Sequence, residues 1–131
     1  MMEIRAKIKK ELNIMDVILL EPSEDLRNVI REILEREHAT VYEVATSYQV
    51  LDCLTQYPRI KVLMIDFDRD PSNTYDLLDE LMQTGHLDTL NLIVTSAYDV
   101  TLAKYPTASF LRKPYEMDDL IRSLHRPSLA Y

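Results

Sequence analysis

Three aspartates at alternate positions follow an apolar run in the middle of the chain. The stretch KVLMIDFDRDPSN, residues 61–73, leads from mostly apolar positions into Asp66, Asp68 and Asp70. Carboxylates this close repel one another unless a cation or a turn geometry offsets the repulsion. An EF-hand calcium loop fits poorly, because Pro71 stands at the sharp-turn glycine position and no acid falls at the twelfth position. Three interpretations stay open: a metal loop, a solvated acidic turn, or a reactive carboxylate at the edge of a sheet.

Apolar runs and amphipathic segments alternate along the chain and predict the elements that position these aspartates. Short apolar runs predict strands at 16–21, 40–45, 61–66, 90–95 and 108–113. Helical spacing of apolar residues predicts helices at 23–37, 48–57, 74–84 and 117–126, and the segment before the last strand is ambiguous. The strands are too apolar to have a solvated face. The pattern therefore predicts an α/β fold, a doubly wound five-stranded parallel sheet with helices on both faces.

Chemically useful side chains follow four of these predicted strands. Ligand sites in such sheets lie beyond the carboxyl ends of the strands. Glu21 comes after the first strand and Asp66 ends the third. The hydroxyl residues Thr95 and Ser96 close the fourth strand, and Lys113 closes the fifth. We expect the sheet to bring these side chains together although they are far apart in sequence.

Size, charge and composition disfavour several classes of function. The 131 residues suffice for one domain with a real core, and the net charge of −7 argues against nucleic acid as a partner. No apolar run is long enough to span a membrane, and the N-terminus lacks the apolar core of a signal peptide. The single cysteine, Cys53, favours a reducing, cytoplasmic setting. The single glycine, Gly85, excludes a glycine-rich phosphate loop, which disfavours a small-molecule enzyme.

The order of these residues resembles the receiver domain of two-component response regulators. The resemblance rests on the segments LMID, LIVTSAY and SFLRKPYEMDDLIRSL, taken together at their separations. It covers roughly residues 16–126 and implies a flavodoxin-like, chemotaxis-regulator-like fold. It also implies that Asp66 is the phosphoacceptor, that Lys113 pairs with acceptor and phosphate, and that Ser96 bonds a phosphoryl oxygen. Thr95 is the alternative to Ser96, because the alignment slips by one residue.

The same resemblance implies a metal ion and a switch residue. Family members bind a divalent cation, usually Mg²⁺, and the matching ligands here are Glu21, Asp66 and Asp68. Asp68 stands where the family supplies a backbone carbonyl, and its own carboxylate is a candidate substitute. Phe110 matches the aromatic residue whose rotamer couples phosphorylation to the outer face. Pro114 matches a proline that follows a cis peptide bond in the family.

Several positions depart from the family pattern. Pro22 stands where a second acid is usual, so one direct metal ligand is missing and weak metal binding is expected. Pro71 comes about one residue late, and the usual Asp-Gly of that loop is replaced by Thr74 and Tyr75. The stretch from Ser96 to Lys113 is roughly a turn shorter than usual, which predicts that the helix found in the family between the fourth and fifth strands is stunted or irregular here.

Two hypotheses for function follow. In the first, the chain accepts a phosphoryl group on Asp66 from a histidine kinase or phosphotransfer protein and thereby changes its affinity for a downstream protein. In the second, it is a pseudo-receiver that takes no phosphate and works as a protein–protein or homodimerisation scaffold. Neither hypothesis makes it an enzyme beyond its own phosphorylation and dephosphorylation. The expected partner face is the fifth strand and the last helix, with Tyr105, Phe110 and Met117.

The chain divides by composition into three parts. Residues 1–15 are expected to form a basic amphipathic lead-in or the stub of a linker. The resemblance implies a receiver-like domain over residues 16–126, and residues 127–131 are expected to be a C-terminal tail.

Overall fold

The computed structural model describes Ile4 and residues 15–126, and their backbone alternates between strand and helix. The strands are β1 (Asp16–Leu20), β2 (Thr40–Glu43), β3 (Val62–Asp66), β4 (Asn91–Ser96) and β5 (Ser109–Arg112). The helices are α1 (Glu24–Arg36), α2 (Ser47–Gln56), α3 (Pro71–Gln83) and α4 (Met117–Leu124), with a 3₁₀ turn at His86–Asp88. Apart from Ile4 and residue 15, the predicted lead-in lies outside the described residues, as does the tail at 127–131. The division into three parts stays a prediction.

All five strands lie parallel, in the order β2-β1-β3-β4-β5. Buried residues of α2 and α3 form a core with one face of the sheet, on which Leu63 and Ile65 lie. Buried residues of α1 and α4 cover the other face, on which Val62 and Met64 lie. The alternation of neighbouring residues between faces is the period of two that a strand imposes. The structure therefore confirms the predicted doubly wound α/β sheet.

Helix α3 begins three residues earlier than its predicted start at position 74. Asp70 caps it, because its carboxylate accepts a hydrogen bond from the Asn73 amide at 3.3 Å. Pro71 occupies the first turn, where its missing N–H removes no helical hydrogen bond. Asp70 is thus a helix cap, whereas the sequence suggested only a turn. The longest described helices have 13 residues, and no described helix combines the length and apolarity needed to cross a membrane.

The connection between β4 and β5, residues 97–108, contains no helix. Tyr105 anchors it: the ring is 2% exposed in the core beneath α3, and its hydroxyl donates to Asp79 at 2.6 Å. Lys104 lies 2.8 Å from the same carboxylate, and the hydrogen bonds from Lys104 and Tyr105 lower the pKa of Asp79. The prediction that Tyr105 lies on the partner face is therefore wrong. The burial of its ring holds the shortened connection against the core.

Candidate functional site

The ends of β1, β3 and β5 bring two acids and a lysine into direct contact. The ammonium group of Lys113 donates to Asp66 Oδ1 at 2.7 Å and to Glu21 Oε1 at 2.9 Å. The two carboxylate side chains are only 2% and 3% exposed, respectively. Three residues that were predicted to converge at the edge of the sheet thus form one cluster. The Lys113–Pro114 peptide bond is cis, as the resemblance implies.

The Lys113 ammonium offsets much of the cost of burying these carboxylates. Burial by itself lowers the pKa of Lys113, but the hydrogen bonds to Asp66 and Glu21 outweigh it, so that the pKa lies above its ordinary value. Two backbone amides complete the cluster: Arg69 N–H donates to Asp66 Oδ2 at 3.2 Å, and Ser23 N–H donates to Glu21 Oε2 at 3.0 Å. Hydrogen bonds to charged acceptors are stronger than those between neutral groups. The lysine is therefore protonated at neutral pH and fixes the orientation of both acids.

Ser96 and Asp68 form a second cluster at the end of β4. The Ser96 hydroxyl is fully buried and donates to Asp68 Oδ1, while the Ala97 amide donates to Asp68 Oδ2 at 2.8 Å. The Tyr98 amide in turn donates to Ser96 Oγ at 3.0 Å. The Asp68 carboxylate, a predicted candidate metal ligand, is therefore hydrogen-bonded to the end of β4.

The two hydroxyl residues of β4 make different contacts. The Thr95 hydroxyl lies 3.5 Å from the carbonyl oxygen of Ile65, which is a long contact. Successive side chains of a strand point to opposite faces, so Thr95 and Ser96 cannot serve the same place. Ser96 contacts Asp68 and Thr95 contacts the backbone of β3, so Ser96, with Thr95 as the alternative, stays a prediction.

The donor set meets part of what Mg²⁺ requires. The described residues contain no group of three or more His, Cys, Asp or Glu side chains arranged around a metal position. Glu21 and Asp66 do supply two adjacent buried carboxylates, and Mg²⁺ is often held by one or two carboxylates with water in its other positions. These two residues fit as protein ligands, while Pro22 offers no side-chain donor.

A cleft of about 480 Å³ opens beside Asp66, toward β2 and the first turns of α2 and α3. Its polar walls include Arg27, Arg69 and Asn73. The Arg27 guanidinium donates to the Glu21 carbonyl oxygen at 3.1 Å. The cleft gives a small group a path to the otherwise buried Asp66.

Sequence reasoning missed several groups at this edge of the sheet. The amides of Arg69 and Ala97 donate to the aspartates, and backbone donors have no signature in residue type. The Tyr115 hydroxyl is buried without a hydrogen-bond partner among the described residues. Its burial, and then the charges of Glu21 and Asp66, raise its pKa. Its position two residues after the lysine was the only signal in the sequence.

The predicted switch residue lies away from these clusters, on the outer surface. Phe110 is on β5 and is 37% exposed, and Met117 at the start of α4 is also exposed. A groove between β5 and α4 includes Phe110 together with arginines. A partner face at β5 and α4 stays a prediction, for which these side chains are accessible.

No family model matches the chain, and no curated protein matches it significantly. Solved structures do match. One is a probable two-component system response regulator/GGDEF domain protein, with TM-score 0.71 and 22% identity, covering 84% of this chain. This chain spans 47% of that protein, so it corresponds to about half of its length.

Two further structures are of single domains. A response regulator receiver domain protein from Bacillus halodurans has TM-score 0.71 and 17% identity, covering 87% of this chain and 98% of its own. The pseudo-receiver domain of CikA has TM-score 0.63 and 20% identity, covering 84% of this chain and 92% of its own. At these identities the similarity is one of fold. The chain therefore has the fold of response regulator receiver domains.

Proposed function

We propose that the chain is a phosphoacceptor switch in two-component signalling, with Asp66 as the acceptor. The observation that carries the proposal is the contact of the Lys113 ammonium with both Asp66 and Glu21. The Asp66 carboxylate thus lies beside a positive charge, and Asp66 lines the cleft. A carboxylate with such a neighbour suits nucleophilic attack on phosphorus.

The reaction transfers a phosphoryl group from a phosphohistidine of a histidine kinase or phosphotransfer protein. An oxygen of Asp66 attacks the phosphorus, the new O–P bond forms, and the P–N bond breaks. The imidazole leaves with the electron pair of that bond, as a neutral ring when its other nitrogen carries a proton. Lys113 balances the charge near the acyl phosphate, and the Ser96 hydroxyl is the side-chain donor for a phosphoryl oxygen.

Glu21 and Asp66 are the residues that would hold Mg²⁺. When bound, the ion supplies positive charge for the incoming phosphoryl oxygens. Because Pro22 removes one usual ligand, we expect binding that needs millimolar Mg²⁺. The buried pair and its lysine keep their geometry through the hydrogen bonds described above.

The output of the switch is a change in affinity for a protein. We place the downstream partner on the face of β5 and α4, where Phe110 and Met117 are exposed. A second copy of the chain is an alternative occupant of the same face. The chain catalyses at most its own phosphorylation and dephosphorylation, and we propose no small-molecule substrate that it turns over.

Intact-mass measurement tests the acceptor directly. The protein is incubated with Mg²⁺ and a small acyl phosphate, and one added phosphoryl group is expected. Asp66→Asn abolishes the adduct, whereas Asp70→Asn, which keeps the cap of α3, retains it. If the wild-type protein stays unmodified at millimolar Mg²⁺, the acceptor proposal is overturned and the pseudo-receiver hypothesis takes its place.

A further inference from the structure

We propose that Asp68 is an internal anion that occupies the hydrogen-bond donors needed by a phosphoryl group on Asp66. The inference rests on the proposed function, because it concerns the same site. It makes Asp68 a residue that limits how readily the acceptor is phosphorylated. The contacts that support it join Asp68 to the end of β4.

Asp68 is held at both of its carboxylate oxygens. One accepts from the Ser96 hydroxyl, and the other accepts from the Ala97 amide at 2.8 Å. The Tyr98 amide donates to the Ser96 oxygen, so the hydroxyl proton is directed toward Asp68. This is a two-point contact on an anion, formed between a loop after β3 and residues 28 and 29 positions further along the chain.

Asp68 is half-buried, and the hydrogen bonds that its carboxylate accepts among the described residues come from these donors. The Lys113 ammonium contacts Glu21 and Asp66, and no described basic side chain lies within ion-pair distance of Asp68. A carboxylate without a cation depends strongly on its hydrogen bonds. Asp68 therefore stays on the donor pair until another group competes for it.

A phosphoryl group on Asp66 is such a competitor. Its oxygens would require a hydroxyl and an amide of the kind that Ser96 and Ala97 present, and its charge repels the Asp68 carboxylate. Stabilising the acyl phosphate at these donors requires Asp68 to leave. The contact thus slows phosphorylation and, once broken, frees the loop after β3 from the end of β4.

The first test compares rates of adduct formation. Wild type, Asp68→Ala, Asp68→Asn and the matched control Asp70→Asn are treated with acetyl phosphate and Mg²⁺. We expect Asp68→Ala to react about tenfold faster than wild type, which corresponds to one charge-assisted hydrogen bond. Asp68→Asn falls between them, because its amide can accept from only one of the two donors, and Asp70→Asn stays within about twofold. An Asp68→Ala rate equal to or below that of wild type overturns the inference and leaves the acceptor proposal standing.

The second test needs no phosphoryl transfer, so it separates the two proposals. Hydrogen exchange of the Ala97 amide is followed by NMR in the same proteins. Asp68→Ala is expected to speed exchange at least about tenfold, and inorganic phosphate is expected to restore protection in that variant alone. Protection that Asp68→Ala does not lower, or that phosphate raises equally in wild type, overturns the inference. If no protein forms an adduct while this pattern holds, the acceptor proposal fails, and only the part of the inference that concerns Asp68 and its two donors stands.

Discussion

We call Glu21, Asp66 and Lys113 the acceptor cluster. This cluster and the connection between β4 and β5 are neighbours in the fold, but they are stabilised in different ways. Glu21, Asp66 and Lys113 are held by buried charge, with one ammonium between two carboxylates. Residues 97–108 are held by the packing of the Tyr105 ring in the core and by contacts of Lys104 and the Tyr105 hydroxyl with Asp79 at the surface. A change of charge at Asp66 acts directly on the first region, whereas the second has no charge in the core that could respond.

Under the proposed function, a change at Asp66 reaches the connection through the contact between Asp68 and the end of β4. Asp68 belongs to the loop after the acceptor, and its partners Ser96 and Ala97 lie where the connection begins. Tyr105 limits how far the rest of the connection can follow. We expect movement to be concentrated in the first residues after β4, and variants of the two regions should separate their roles.

The largest expected effect is loss of the anchor of the connection. Tyr105→Ala leaves a cavity beneath α3 and should lower the free energy of unfolding by about 4 kcal/mol, the usual range for a buried aromatic residue. Tyr98→Ala is the matched control, because its ring is 70% exposed in the same segment, and a change within about 0.5 kcal/mol is expected. Urea unfolding measures both. Equal losses in the two variants would contradict the claim that packing at Tyr105 holds the connection.

The next effect concerns the charge of the acceptor cluster. Lys113→Gln leaves Glu21 and Asp66 facing each other without a cation, and should lower the free energy of unfolding at pH 7 by about 3 kcal/mol. Part of the lost stability should be regained as the pH falls, because one of the two facing carboxyls then takes up a proton more readily in the folded state. Urea unfolding at several pH values checks both. Lys104→Gln, which removes a surface ammonium from the partly exposed Asp79, is the control and should lower the free energy of unfolding at pH 7 by no more than about 1 kcal/mol.

The wild-type protein should itself lose stability at alkaline pH. The folded pKa of Lys113 is raised above 10.5, so its contribution is complete below that value and is lost as the pH rises through the folded pKa. Urea unfolding between neutral pH and the alkaline range should reveal this loss in wild type and not in Lys113→Gln. A loss of equal slope in both proteins would assign the effect to other groups.

The sequence predicted the acceptor cluster better than the connection for physical reasons. Parallel strands end at one edge of the sheet, so the residues after them must converge whatever lies between. That rule by itself predicts that Glu21, Asp66 and Lys113 meet, and the apolar runs predicted all five strands.

The connection follows no such rule. A segment without helical or strand periodicity carries no signal for which side chain turns inward, so Tyr105 was placed on the surface although it is buried. The direction of Asp68 is set by donors at the end of β4, which only the folded chain presents. The apolar periodicity predicts that α3 starts at residue 74, whereas Asp70 caps the helix and Pro71 begins it.

A smaller effect should appear as non-additivity between Asp68 and Ser96. In the wild-type background, Ser96→Ala removes a donor from the phosphoryl group and from Asp68 alike, so adduct formation should change by less than about threefold. In the Asp68→Ala background only the phosphoryl group loses the donor, and a drop of about tenfold is expected. The rates of adduct formation of wild type, Ser96→Ala, Asp68→Ala and the double variant give the coupling between the two residues. Identical drops in both backgrounds would show that Asp68 does not compete for the hydroxyl.

The smallest expected effect separates the two hydroxyl residues of β4. Thr95→Val keeps the volume of the side chain and removes a hydroxyl whose contact, to the Ile65 carbonyl, is long at 3.5 Å. In the Asp68→Ala background, adduct formation should stay within about twofold, against the tenfold drop for Ser96→Ala. The same mass measurement checks this. If Thr95→Val slowed the reaction more than Ser96→Ala, Thr95 would be the hydroxyl that serves the phosphoryl group, and Ser96 would only hold Asp68 in place. The contact between Asp68 and Ser96 would then join the connection to the loop after Asp66 without competing with the phosphoryl group.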